Sequence, residues 1–140
     1  MRKIETRFGE VEYNPDNLLH FPTGMIGFPN LRHFIVMPNK KQGPLFWIQS
    51  VDNSDIAFVL TDPTNFFLEY KVIPDTFERS TLQIGEEDEC FSLTVVTVPP
   101  DQKITINLTA PILFSPKTNR AIQIILEKTD YNSKTRLPVQ

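Results

Sequence analysis

The chain is poor in the residues that covalent and metal chemistry need. Its 140 residues include one cysteine, Cys90, and two histidines, His20 and His33. A single thiol cannot form an intramolecular disulfide, which fits a reducing compartment. Those three soft ligands fall in none of the close spacings that a zinc site uses. A Cys90–histidine nucleophile pair is disfavoured too, because the acidic run Glu86-Glu87-Asp88-Glu89 beside the thiol raises its pKa. Glycine is scarce, at five residues, and no Gly-Lys-Ser/Thr follows Gly24 or Gly27, so there is no phosphate loop. No apolar run approaches the roughly 20 residues of a membrane helix. Charges interrupt Met1-Arg2-Lys3-Ile4-Glu5-Thr6-Arg7 and no apolar stretch follows, so we expect no secretory leader, no membrane partner and a cytoplasmic location. The Asn107-Leu108-Thr109 sequon is then without meaning. Basic charge is also short. Fourteen Lys and Arg face seventeen Asp and Glu, for a net charge of −3. Nucleic-acid affinity rests on a basic surplus, so no direct nucleic-acid partner is expected; an acidic domain suits a basic protein better.

Proline and β-forming residues are plentiful. Twelve prolines punctuate short runs rich in Phe, Val, Ile and Thr. The runs predict strands at Lys3–Phe8, Glu10–Tyr13, His33–Met37, Leu45–Ser50, Ile56–Thr61, Phe66–Val72, Cys90–Val98, Ile104–Leu108, Ile112–Phe114 and Ala121–Lys128. Ile104, Ile106 and Leu108 share one face, as do Ile122, Ile124 and Leu126. Many short strands at close spacing predict a sandwich or barrel, and closure into a barrel removes exposed edges. One segment reads as a helix, Asp75–Ile84. Asp75 and Glu78 make a capping-box pattern, Phe77, Thr81 and Ile84 fall on one face, and Gly85 suits the C′ position. The expected fold is mainly β: one antiparallel β-barrel-like domain over residues 1–140, with one or two short helices and a loosely ordered polar tail after Tyr131. Phe28 is expected to tuck back into the core after the glycine turn.

Three stretches stand in a fixed order. They are Phe21-Pro22-Thr23-Gly24-Met25-Ile26-Gly27-Phe28, then Ile48-Gln49-Ser50-Val51-Asp52 leading into Ala57–Pro63, then Ile106-Asn107-Leu108-Thr109-Ala110-Pro111-Ile112. With Phe66-Phe67-x-x-Tyr70, Gln123 and Tyr131 they resemble the FliW family of flagellar assembly factors over roughly residues 3–137. Each motif alone is only a strand and a turn; their joint order is specific. Ile48 stands where the family usually has leucine, and Met25-Ile26 where Leu-Pro is more frequent, both apolar exchanges on structural elements. The resemblance implies an antiparallel barrel without a cofactor. It implies flagellin as one partner and the translational regulator CsrA as the other. Binding of CsrA would relieve repression of flagellin synthesis, and free flagellin would compete. It implies no catalysis. A flavin-binding oxidoreductase on a small barrel is the alternative from another class; it would need a basic phosphate cradle.

Candidate binding residues follow from exposure on strands. Adjacent phenylalanines in a strand point to opposite faces, so one of Phe66-Phe67 should enter the core and the other be either covered, in a strand buried on both faces, or exposed as a contact surface. Phe67, Glu69 and Tyr70 are therefore expected on an exposed strand surface suited to a protein interface. A Pro99-Pro100 hairpin should leave Val98, Ile104 and Asn107 near a reachable rim.

Overall fold

The computed structural model describes residues 1–37, 43–98, 100, 103–127 and 129–137, and the fold is mainly β, as expected. Lys40-Lys41, Pro99 of the expected hairpin and Lys128 lie outside the described residues. The strands are β1 (Arg2–Thr6), β2 (Gly9–Tyr13), β3 (Leu19–His20), β4 (His33–Met37), β5 (Leu45–Ser50), β6 (Ala57–Thr61), β7 (Phe91–Thr97), β8 (Thr105–Ile106), β9 (Ile112–Ser115), β10 (Arg120–Gln123) and β11 (Thr135–Arg136). β1 and β2 form a separate hairpin. It is tied to the rest by the Arg7 guanidinium, which donates to the Asp55 carbonyl at 2.8 Å, and by an edge-to-face contact of Phe8 with Trp47 at 5.1 Å.

Seven strands close the barrel, in the order β3, β4, β5, β6, β7, β9, β10 and back to β3. Neighbours are antiparallel except at the seam, where β10 meets β3 in parallel at Arg120 and His20. β7 makes closure possible because its two halves serve different partners on one edge. Phe91–Leu93 pair with β9, while Val96 and Thr97 pair with β8, which leads outward to β11.

Alternation along the strands sorts the core. Phe21, Phe34, Ile48, Leu60 and Ile112 point inward with Leu19, Met25, Leu31 and Ala121. The opposite face of β6, β7 and β8 carries Val59, Val96 and Ile106 into a second cluster with Tyr70, Leu108 and Leu137, covered by Phe66, Phe67 and Val72. A third cluster, Leu82, Leu113 and Ile122, lies under the helix α1 (Thr76–Leu82). Burying a leucine of this kind is worth roughly 1.5–3 kcal/mol.

Several expectations are corrected here. Phe66–Val72 is not a strand. Asp62 caps a 3-10 turn at Pro63–Asn65, and the amides of Phe66 and Phe67 both donate to the Pro63 carbonyl. The coiled backbone therefore turns both rings to the second cluster instead of to opposite faces. The capping box is present: Asp75 accepts from the Glu78 amide at 2.7 Å, and Glu78 accepts from the Asp75 amide at 2.9 Å. The helix nevertheless ends at Gln83, which takes the left-handed conformation (φ 59°) in place of Gly85. Its buried residue is Leu82, and Phe77 stands 70% exposed. Phe28 also stays outside the core, 40% exposed and edge-on to Phe58. In the tail after Tyr131, β11 pairs with β8, the Leu137 amide donates to the Ile104 carbonyl, and the Leu137 side chain is buried. Its alternation of one apolar residue among polar ones hides this pairing. Strands β3 and β11 are too short, at two residues each, to announce themselves by periodicity. Among the described residues no helix is long and apolar enough to cross a membrane.

Candidate protein-binding surface

The quoted motifs turn out to be backbone clasps. In the glycine turn, Met25 and Phe28 exchange amide–carbonyl bonds across Ile26-Gly27, and Gly27 has φ +86°, the value a type II turn asks of its third residue. Gln123 ties this turn to the Asn107 loop. Its Oε1 accepts from the Ile26 amide at 2.9 Å, and its Nε2 donates to the Ala110 carbonyl at 3.1 Å. Asn107 Oδ1 in turn accepts from the amides of Thr109 and Ala110 and from the Thr109 hydroxyl. Gln49 is wholly buried and its Nε2 donates to the carbonyls of Ser50, Ser54 and Ile56. Asp52 Oδ2 accepts from the amides of Arg32 and His33, at 2.7 and 2.8 Å. Partial burial works to raise the Asp52 pKa, but those bonds and His33 outweigh it and hold the carboxyl below its usual range. The motif order that marks the sequence is thus the order of the clasps that fix loop to loop.

The FliW protein family profile matches residues 3–137. The chain belongs to the FliW family. The flagellar assembly factor FliW of Syntrophotalea carbinolica is 64% identical over 137 residues, covering 98% of each chain. FliW 2 of Desulfotalea psychrophila is 62% identical over 138 residues, covering 99% of this chain and 91% of that one. A crystal structure of the flagellar assembly factor FliW superposes with a TM-score of 0.87 at 29% identity, over 96% of each chain. The names of these relatives give flagellar assembly as their role.

On this family fold the residues expected to bind partners fall into separate places. Phe67, Glu69 and Tyr70 line a surface cleft of about 610 Å³, together with Leu68, Leu108 and Tyr131. Tyr70 is not a rim residue, as expected from a strand, but a buried anchor. It is 5% exposed, and its hydroxyl donates to the Leu108 carbonyl at 2.8 Å. Burial, with the neighbouring Tyr131, pushes its pKa far up, so it stays a neutral donor. Phe67 is half-buried and Glu69 exposed. Asn107 lines a second groove of about 560 Å³ with Met25, Ile26, Phe58 and Lys134. Val98 is 57% exposed just beyond β7 and lines neither. Ile104 is half-buried against the second cluster.

Leu68 was missed by sequence reasoning. It is 87% exposed, more than any other large apolar side chain described. In a strand it would alternate inward beside an outward Phe67; only the turn conformation turns it out. The acidic run is also more structural than its composition suggests. Asp88 accepts from the Gly85 amide at 2.8 Å and pairs with Lys117 at 3.3 Å, leaving Glu86, Glu87 and Glu89 exposed. Cys90 is half-buried beside the third cluster, and burial pushes its thiol pKa up, as befits a packing residue.

Proposed function

We propose that this chain is a flagellar assembly factor that acts by binding proteins, with flagellin and the translational regulator CsrA as its partners. The observation that carries the reading is the family match over residues 3–137, with two relatives above 60% identity that bear that name. The net charge of −3 and the exposed apolar side chains Leu68 and Val98 support a protein-binding surface over a nucleic-acid one. In this reading CsrA binding relieves its repression of flagellin synthesis, and free flagellin displaces CsrA, so translation follows secretion. Phe67, Glu69, Val98, Ile104 and Asn107 are proposed contact positions, with Tyr70 holding in shape the cleft that Phe67 and Glu69 line. Flagellin's terminal segments, unfolded before assembly, would order on an apolar rim of this kind.

The decisive experiment is a titration of monomeric flagellin into a preformed complex with CsrA on a sizing column. Release of CsrA is the expected result. Linkage then demands that CsrA weaken flagellin binding by the same factor. A stable ternary complex with unchanged affinities overturns the switch, and failure of either protein to bind removes that partner.

A further inference from the structure

The cleft beside Tyr70 has a defined chemistry. Its wall is preorganised: Tyr70 is pinned by its bond to the Leu108 carbonyl, and its ring meets Tyr131 at 4.7 Å. Leu68 offers an uncovered apolar ledge, and Tyr131 is 36% exposed. Among the described residues, the charged groups lining the cleft are two carboxylates, Glu69 and Asp130. Neither has an ion-pair partner among the described residues. A purely apolar occupant would strip water from both carboxylates without replacing it, which is costly. An acidic occupant would be repelled. A metal ion lacks ligands, since no cluster of three metal-binding side chains exists among the described residues. A lysine or arginine side chain answers every feature. Its methylene stem lies on apolar surface, its cation meets the carboxylates, and a tyrosine face adds cation–π attraction.

We propose that this cleft is a docking pocket for an arginine or lysine side chain carried beside a large apolar residue on a protein segment. The cation sits between Glu69 and Asp130, and the apolar neighbour rests on Leu68 and Phe67. The proposal rests on the reading that this chain acts by binding proteins, and it specifies the chemistry of the bound segment. The buried Tyr70 hydroxyl bond keeps the pocket formed before binding, which lowers the ordering cost.

Amide shifts of the isotope-labelled full chain test it. The probes are capped hexapeptides alternating leucine with arginine, leucine with glutamate, and alanine with arginine. The leucine–arginine peptide is expected to shift Leu68, Glu69, Tyr131 and Asn132, with affinity falling about threefold or more from about 50 to about 200 mM NaCl. The leucine–glutamate peptide should shift none of them, and the alanine–arginine peptide should bind more weakly. Glu69→Lys with Asp130→Lys should weaken the leucine–arginine peptide by about tenfold or more. Leu68→Ser should weaken it with the thermal midpoint unchanged. Equal binding of all three peptides, shifts elsewhere, or native affinity in the double variant overturns the pocket. Flagellin and CsrA are then titrated in parallel. If neither binds but the cleft amides still respond to the arginine peptide, the partner reading fails and the pocket stands. If both bind the double variant as tightly as the native chain and the peptide leaves the cleft amides unmoved, the pocket fails and the partner reading stands.

Discussion

Around the glycine turn, the polar side chains are committed to backbone. Gln49, Asp52, Asn107 and Gln123 each bind two or more amides, hydroxyls or carbonyls of neighbouring loops. Along the Leu68–Tyr131 rim the polar groups differ: Glu69 and Asp130 have no ion-pair partner among the described residues. The contrast separates holding the barrel shut from meeting another molecule. Gln49, Asp52 and Gln123 in the first region are spent on fold contacts, and the second region carries the proposed pocket. Mutations should therefore split cleanly into those that cost stability and those that cost only binding.

The largest split is expected between two leucines. Leu60 is 1% exposed inside the barrel, and Leu60→Ala should lower the unfolding free energy by about 2–5 kcal/mol in chemical denaturation. Leu68→Ala should stay within about 0.5 kcal/mol of the native chain. A comparable loss at Leu68 would mean that the rim is part of the core. Gly24 comes next. Its φ is +73°, and a Cβ there would lie 2.6 Å from the Pro29 carbonyl oxygen and 2.7 Å from the Pro29 Cα. Gly24→Ala combines left-handed strain with an overlap against backbone, about 2–4 kcal/mol. Gly27→Ala meets open space and should cost only the strain, about 1–2 kcal/mol. Equal losses would show that the Pro29 approach relaxes freely. Gln123→Ala removes both bonds between the glycine turn and the Asn107 loop, for about 1–3 kcal/mol. Amide exchange at Ile26 should rise with it, and unchanged exchange would show that the clasp is dispensable.

The smallest effect concerns pH at the seam. His20 stacks on His33 with ring centres 5.2 Å apart, and His33 Nδ1 lies 3.3 Å from Asp52 Oδ1. Burial, then Arg120, His33 and Arg32, lowers the His20 pKa from its ordinary 6.5, against a smaller upward pull from Asp52. The unfolded chain then binds more protons between the folded value and 6.5. The His20 contribution is therefore complete above that pH and is lost as pH falls through the window. Asp52, with its lowered pKa, adds a second loss further down, as pH falls through its folded value below the carboxylate range. His20→Gln should flatten the thermal midpoint between about pH 7 and 5 and leave the acid limb below it. An unaltered slope would mean that the stacked pair opens on protonation at no cost.

The amino-acid order alone makes legible the β class, His33–Met37 and Leu45–Ser50 to the residue, and the capped start of the helix. Each of these is local: a run of β-forming residues next to a proline, or an Asp and a Glu three residues apart. It also carried family membership, through the joint order of the motifs that hold Gln49, Asp52, Asn107 and Gln123. The tertiary structure alone decided the closure through the two halves of β7, the pairing of β11 with β8, and the conversion of the Phe66–Tyr70 stretch from a strand into a cover. The physical reason is common to all three. A two-residue strand or a turn with both phenylalanines on one side gains its stability from distant partners — Leu108, Ile106, Val96 — whose proximity no local pattern records.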